Sequence, residues 1–321
     1  MSLKRTARGT LILLTLGVLL LLLLLLVNPV QPRQRPALLE MSVIAREADG
    51  SAWANARQGM EQAAADLHVE LRFLYPSASN NAPEQCELLR REMESGASAI
   101  LLFPTDRAAL AETVQNAAGR AALITLETDM AAQGARGCAG ADNTALGQAL
   151  GAAALNGVPP DEAVLLLDSV PGDNGIRERM EAASALLEAE NRTVLYCRPA
   201  EGESLAAALQ NRLAGEPVRA VVAFEPSALE RAAEETALLD DPPMLYGVGS
   251  TAAIAANLEQ GRITSVVAQN AFSTGYLAVE AAARLARREP AEPLGQLPHF
   301  TVRRENMYEP DYQKLLFPVT R

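Results

Sequence analysis

From residue 39 onward the chain alternates almost without exception between short aliphatic runs and segments of helical hydrophobic period. That alternation leaves few folds open. Strand patterns cover 39–46, 69–74, 97–103 and 121–126, with helical patterns over 53–67, in a segment opened by Pro83, and over 106–118. A second series places strands at 163–167, 193–197, 219–224, 244–248 and 263–268, with helices over 175–190, 204–214, 227–239 and 251–260 between them. A long helix over 272–288 and a last strand over 298–303 complete it. Strands joined through helices pair in parallel and need cover on both faces, so the pattern predicts parallel sheets wrapped by helices. Ligands of such sheets sit beyond the carboxyl ends of the strands. The loops of interest therefore follow Arg46, Leu126, Leu167, Phe224, Val248 and Ala268.

Between the two series lies Arg136 to Gly151, a short strand of small residues, a polar corner and an Ala-rich helix. Asp142 or Asn143 can cap that helix by accepting from its first N–H groups. Gly147 and Gly151, four apart, share a face on which a neighbouring backbone can come close. The stretch reads as a crossing between two α/β lobes; the alternative is an ordinary strand–helix unit within one sheet. With 321 residues the chain is long enough for two cores.

Ahead of this body, Lys4, Arg5 and Arg8 precede an apolar run from Thr10 to Val27 that includes eight consecutive leucines. Eighteen helical residues span roughly 27 Å, close to one hydrocarbon core. Positive charge on the N-terminal side orients such a helix with its N-terminus inside and the rest outside. Residues 28–32, Asn-Pro-Val-Gln-Pro, carry neither an A-x-A cleavage pattern nor a lipid-attachment cysteine, which favours an uncleaved anchor over a removed signal. Residues 1–28 thus read as membrane anchor and 29–37 as a proline-punctuated tether, with the body outside the cytoplasm at the cell membrane.

The five basic residues of the first 35 leave 23 Lys+Arg against 39 Asp+Glu over the remainder, a balance of −16. A body that acidic repels phosphate backbones and argues against a nucleic-acid partner. Cys86, Cys138 and Cys197 form no CxxC and read as small buried hydrophobes. His68 and His299 have no neighbours at metal-ligand spacing, so no metal and no cofactor is expected. Gly247-Val248-Gly249-Ser250-Thr251-Ala252 has the form G-x-G-x-x-A between strand and helix, but lies late in the chain with no persuasive acid about twenty residues on. No G-x-S-x-G, Walker A or H-E-x-x-H occurs, and the chain is not read as an enzyme.

Several segments, taken in order, resemble the type I periplasmic substrate-binding proteins, near the ribose- and galactose-binding group that feeds ABC transporters. They are Gly96 to Asp106 (GASAILLFPTD), Ala121 to Glu127 (AALITLE), Gly140-Ala141-Asp142-Asn143 with Gly147, Ile176-Arg177-Glu178-Arg179, and Val266 to Asn270 (VVAQN). The resemblance spans roughly Met41 to Pro318. It implies two Rossmann-like lobes with parallel sheets joined by a three-segment hinge, an N-terminal lobe of 38–141 and 270–290, and a C-terminal lobe of 142–269 and 297–321. It also implies capture of a small polar molecule (sugar, polyol or amino sugar) for a membrane permease. By resemblance, Asp49 binds ligand from the turn after the first strand, Trp53 stacks on a sugar face, Arg177 forks hydrogen bonds to hydroxyls, and Gln269 is a hinge-side amide that contacts the sugar. For Trp53 the alternative is a core tryptophan, for Arg177 a surface ion pair with Glu181, and for Gln269 a strand-end turn residue.

Departures from the family pattern matter as much. Glu127-Thr128 stands where Asp-Arg is common, Glu225-Pro226 where Asn-Asp is common, and Gly249 where an aspartate is expected. Glu47, Glu127 and Glu225 would then face the cleft with Arg177 as the counter-charge. Carboxylates away from water need partners, so an amine-bearing ligand or a protonated glutamate enters as an alternative. Repressors of the lac type share the lobe pair but add a helix-turn-helix where this chain has an apolar segment. A membrane-tethered sensor signalling to a kinase or receptor is the remaining alternative; the sequence does not separate it from transport.

Overall fold

A computed structural model describes residues 14–20, 38–47 and 53–317. The chain divides into a unit of residues 1–38 and a body of residues 39–321. In the first, residues 14–20 are helical and exposed. The rest of the predicted anchor at 10–27 and the tether at 29–37 lie outside the described residues. Among the described residues no helix is long and apolar enough to cross a membrane.

The body carries two sheets. In the first, β1 (Leu39–Ile44), β2 (Val69–Leu74), β3 (Ala99–Leu102), β4 (Ala122–Leu126) and β5 (Cys138–Ala139) lie in the order β2-β1-β3-β4-β5, all parallel. Helices α1 (Ala54–Leu67), α2 (Ala82–Glu94) and α3 (Arg107–Ala118) connect them. Strand residues alternate between two cores, as the pleat requires. Leu101 and Ile124 face Met60 of α1, whereas Ile100 and Leu102 face Leu89 of α2 and Leu110 of α3.

After β5 the chain enters α4 (Asn143–Leu155) and builds the second sheet from β6 (Ala163–Leu167), β7 (Thr193–Cys197), β8 (Ala220–Ala223), β9 (Met244–Val248), β10 (Ser265–Gln269) and β11 (His299–Val302). Helices α5 (Asn174–Ala189), α6 (Leu205–Gly215), α7 (Pro226–Thr236) and α8 (Ala252–Glu259) lie between its strands. The order is β11-β10-β9-β8-β6-β7. Its strands are parallel except that β11 runs antiparallel to β10, which corrects the expectation of purely parallel sheets. The physical reason is topological. The chain leaves β10 into α9 (Ala271–Ala286), which packs on α1, β3, β4 and β5 of the first sheet, and only then returns to β11. A strand reached without a crossover helix in its own lobe is free to close an edge antiparallel. A final helix, α10 (Pro310–Leu316), seals the second core with Leu315 and Leu316; the hydrophobic pattern beyond residue 303 was too short to predict it.

The fold is therefore α/β with two lobes. The chain passes between them three times, after β5, between β10 and α9, and between α9 and β11. These passages are tied to one another: Ala141 N–H donates to Gln269 Oε1 at 2.9 Å, and Leu297 N–H to the Gly140 carbonyl at 2.9 Å.

Candidate binding site between the lobes

The carboxyl ends of both sets of parallel strands meet across a cleft, and local sequence explains how the loops there are held. In the first lobe Gln85, fully buried on α2, donates through Nε2 to the carbonyls of Ala45 and Phe103. Its Oε1 accepts from the backbone N–H and the hydroxyl of Thr105. One side chain thus ties the loops after β1 and β3. Helix starts supply further fixed groups. Asp106 caps α3, Asp142 caps α4 and Asp173 caps α5, each accepting from backbone N–H groups of the first turn. Because Asp142 takes the cap of α4, the side chain of Asn143 is released to the cleft.

Contacts from one lobe to the other line this cleft. The Arg46 guanidinium, at the end of β1, pairs with the carboxylate of Asp173 in the second lobe and with Glu127 Oε2 of its own lobe at 3.4 Å. Asp173 uses its other oxygen to cap α5, accepting from Ile176 N–H at 3.0 Å. Arg107 donates to Glu178 at 2.9 Å, and its backbone N–H to Asn174 Oδ1 at 2.9 Å. On the far side Asn55 donates to the Ser250 carbonyl at 2.8 Å. Burial alone would push the Arg46 guanidinium pKa down; the fields of Asp173, Glu127, Glu225 and Glu47 outweigh it and raise it above its ordinary value.

Asn143 is the link at the hinge. Its Nδ2 donates to the Glu127 carbonyl at 2.9 Å, across the first passage, and its Oδ1 accepts from Arg179 Nε at 2.8 Å. Arg179 is buried and donates again, through Nη1, to the Phe224 carbonyl at 2.8 Å, one residue before Glu225. Glu225 accepts from Ser169 at 2.6 Å and is itself buried. Glu127 has a positive φ of 64°, uncommon for a residue with a side chain. The bonds from its N–H to the Ala139 carbonyl and from Asn143 to its own carbonyl hold it there.

The residues singled out in the sequence fare unequally. Glu127 and Glu225 lie at the cleft, one from each lobe. Asp49 lies outside the described residues. Trp53 is 7% exposed and packs its ring among Phe73, Tyr75 and Phe103, with centroids 5.7, 6.1 and 5.7 Å away. Those neighbours are the surroundings of the core alternative. Arg177 sits on the exposed face of α5, 3.7 Å from Glu181, the surface ion pair. Gln269 spends its carbonyl on the Ala141 N–H, a hinge bond. The arginines turned inward are Arg46 and Arg179. Neither was picked out from the sequence, nor were Asn143, Asp173 and Ser169 as cleft groups. Exposed pairs such as Arg177–Glu181 contribute little. Arg177→Ala should therefore change the unfolding free energy by less than about 0.5 kcal/mol in a denaturant titration, and leave solute binding as it was.

Cys86 and Cys197 are buried and Cys138 is half-buried, with no disulfide among them. Burial pushes the Cys138 thiol up to about 12, against an opposing hydrogen bond with Thr125, so it is held as a thiol. Among the described residues no group of three or more His, Cys, Asp or Glu side chains could hold a metal ion.

A family model described as a periplasmic binding protein domain matches residues 42–290. A carbohydrate transporter solute binding protein from Agrobacterium radiobacter, solved with D-arabinose, superimposes with a TM-score of 0.79 at 20% identity, over 88% of this chain and 99% of that one. An ABC transporter solute binding protein from Agrobacterium vitis, solved with D-fucose, gives 0.79 at 18% identity over 87% and 100%. A complex of XylFII with LytSN gives 0.76 at 14% identity over 83% and 98%. At such identities these structures share the fold. No curated protein matches the chain.

Proposed function

The chain belongs to the periplasmic binding protein family, and from that premise we propose that it captures a small neutral polyhydroxyl solute, a sugar or polyol, between its lobes. The observation that carries this reading is the composition of the cleft. Glu127 and Arg46 from one lobe and Asp173, Ser169 and Glu225 from the other, with Arg179 bonded behind them, bring carboxylate acceptors and guanidinium donors together where the lobes meet. Vicinal hydroxyls both donate and accept, so such a mixture satisfies them, and charge-assisted bonds hold them firmly. The three passages between lobes serve as the hinge about which they close. Support for a saccharide comes from relatives solved with D-arabinose and D-fucose. Arg46 gives Glu127 a counter-charge within the protein, which favours a neutral solute over an amino sugar.

In this reading the apolar run from Thr10 to Val27 anchors the chain, the body lies outside the cytoplasm, and the closed lobes are read by an ABC-type permease. A sensor partner is the second reading, prompted by the likeness to XylFII in its complex with LytSN. Recovery of permease subunits or of a kinase with the full chain from membranes separates the two.

A thermal-shift panel of pentoses, hexoses and polyols on the full chain tests the capture itself. A true solute at a hundredfold excess over Kd adds about 2.7 kcal/mol to the folded state and raises Tm. A panel in which no sugar or polyol moves Tm would remove this reading.

A further inference from the structure

We propose that Arg46 sets the charge class of the solute: by pairing with a carboxylate from each lobe, it turns the cleft toward uncharged solutes and against cationic ones. This rests on the capture reading above. Among the described residues the carboxylates of Glu47, Glu127, Asp173, Glu178 and Glu225 stand about Arg46 and the neighbouring rim, on both sides of the gap. Of the three arginines among them, Arg107 is paired with Glu178 at the rim. Arg179 spends its bonds on the Asn143 side-chain oxygen and the Phe224 carbonyl, neither of them charged. Arg46 alone of the three forms ion pairs with a carboxylate from each lobe, and its side chain is only 13% exposed.

Two consequences follow from its position. A hydroxylated neutral solute can share the guanidinium donors and the carboxylate acceptors without displacing Arg46 from its two carboxylates. An ammonium group entering the same space meets the fixed guanidinium, a like charge that disfavours it. Remove the guanidinium and Glu127 and Asp173 both lose their cation, so a ligand that brings one is favoured. The substitution should therefore turn selectivity over as well as weaken binding.

The test compares the full chain with Arg46→Met and with Arg46→Gln, which still donates hydrogen bonds and is the milder of the two. Each is melted alone and with D-glucose, D-galactose, D-glucosamine, D-galactosamine or ethanolamine, at a mildly acidic pH where the amines are charged. The unaltered chain should respond to neutral members and not to the amines. The variants should lose the neutral response and bind an amine at least about tenfold more tightly than the unaltered chain does. Cooperatively melting variants that rank the compounds as the unaltered chain does would overturn the proposal, as would an unaltered chain that takes the amines. If no neutral sugar or polyol shifts the unaltered chain, the capture reading fails, while ethanolamine, small enough to enter without sugar contacts, still decides the role of Arg46.

Discussion

Gly275→Ala should lower the unfolding free energy by about 3 kcal/mol, among the largest effects available from adding one methyl group. Gly275 lies on α9 where that helix crosses α1, and a Cβ there would sit 1.9 Å from the Ala56 carbonyl oxygen. The contact is reciprocal: a Cβ on Gly59 of α1 would sit 1.9 Å from the Phe272 carbonyl oxygen of α9. What would be struck is backbone on both sides, so no side chain can rotate away, and interiors packed to crystal density do not absorb the shift. The helices would have to separate, uncovering Met60, Ala278 and Ala282 at the centre of the first core. The second lobe repeats the device, with Gly147 of α4 placing its would-be Cβ 2.1 Å from the Arg179 carbonyl oxygen of α5. The control is Gly119, just past α3, with no atom within 4 Å of an added Cβ and an ordinary φ of −82°. Gly119→Ala should be neutral or stabilise by up to about 1 kcal/mol. Urea titration of the variants measures both; a cost below about 1 kcal/mol at Gly275 would show that the helix crossing is looser than described.

Arg179→Met should cost about 3 kcal/mol of stability and weaken solute binding by about a hundredfold. The side chain is 3% exposed and joins three elements: its own helix, Asn143 at the start of α4 and the end of β8. Methionine keeps much of the volume but leaves the Asn143 Oδ1 and the Phe224 carbonyl without their donor, each a buried acceptor that then carries its full desolvation penalty. Asn143 is also what holds the Glu127 carbonyl across the hinge. The loss therefore reaches the acceptors of both lobes, Glu127 on one side and, through Phe224, Glu225 on the other. Denaturant titration reports the first effect and solute titration the second. A variant that loses stability with unaltered affinity would confine Arg179 to a structural part.

The contrast between Arg177 and Arg179 shows where the sequence was legible. Strands and helices could be read because their periods are local, and Gly147 with Gly151 signalled a close helix contact for the same reason. The phase of α5 was also in the sequence. Arg179 shares a face with Ile176, Met180 and Ala183, all buried, while Arg177 has Glu181 one turn on. An arginine on an apolar face is the signal that could have been weighed, and the resemblance drew attention to its neighbour. Arg46 left no such trace. Its partners stand 81 and 127 residues away, and only the pairing of two lobes brings them together. Trp53 shows the reverse: an aromatic at the expected position, with Phe73, Tyr75 and Phe103 around it, belongs to the core those residues make. The antiparallel β11 was likewise beyond local reading, since strand direction depends on where the chain has been in between.

The account stands on one solute held by both lobes together, and a calorimetric titration of the full chain with the strongest compound of the panel tests this most directly. The predicted result is one solute per chain, with affinity reduced at least about tenfold by Glu127→Gln in the first lobe and likewise by Glu225→Gln in the second. Heat of binding that survives unchanged when either side is altered would contradict it.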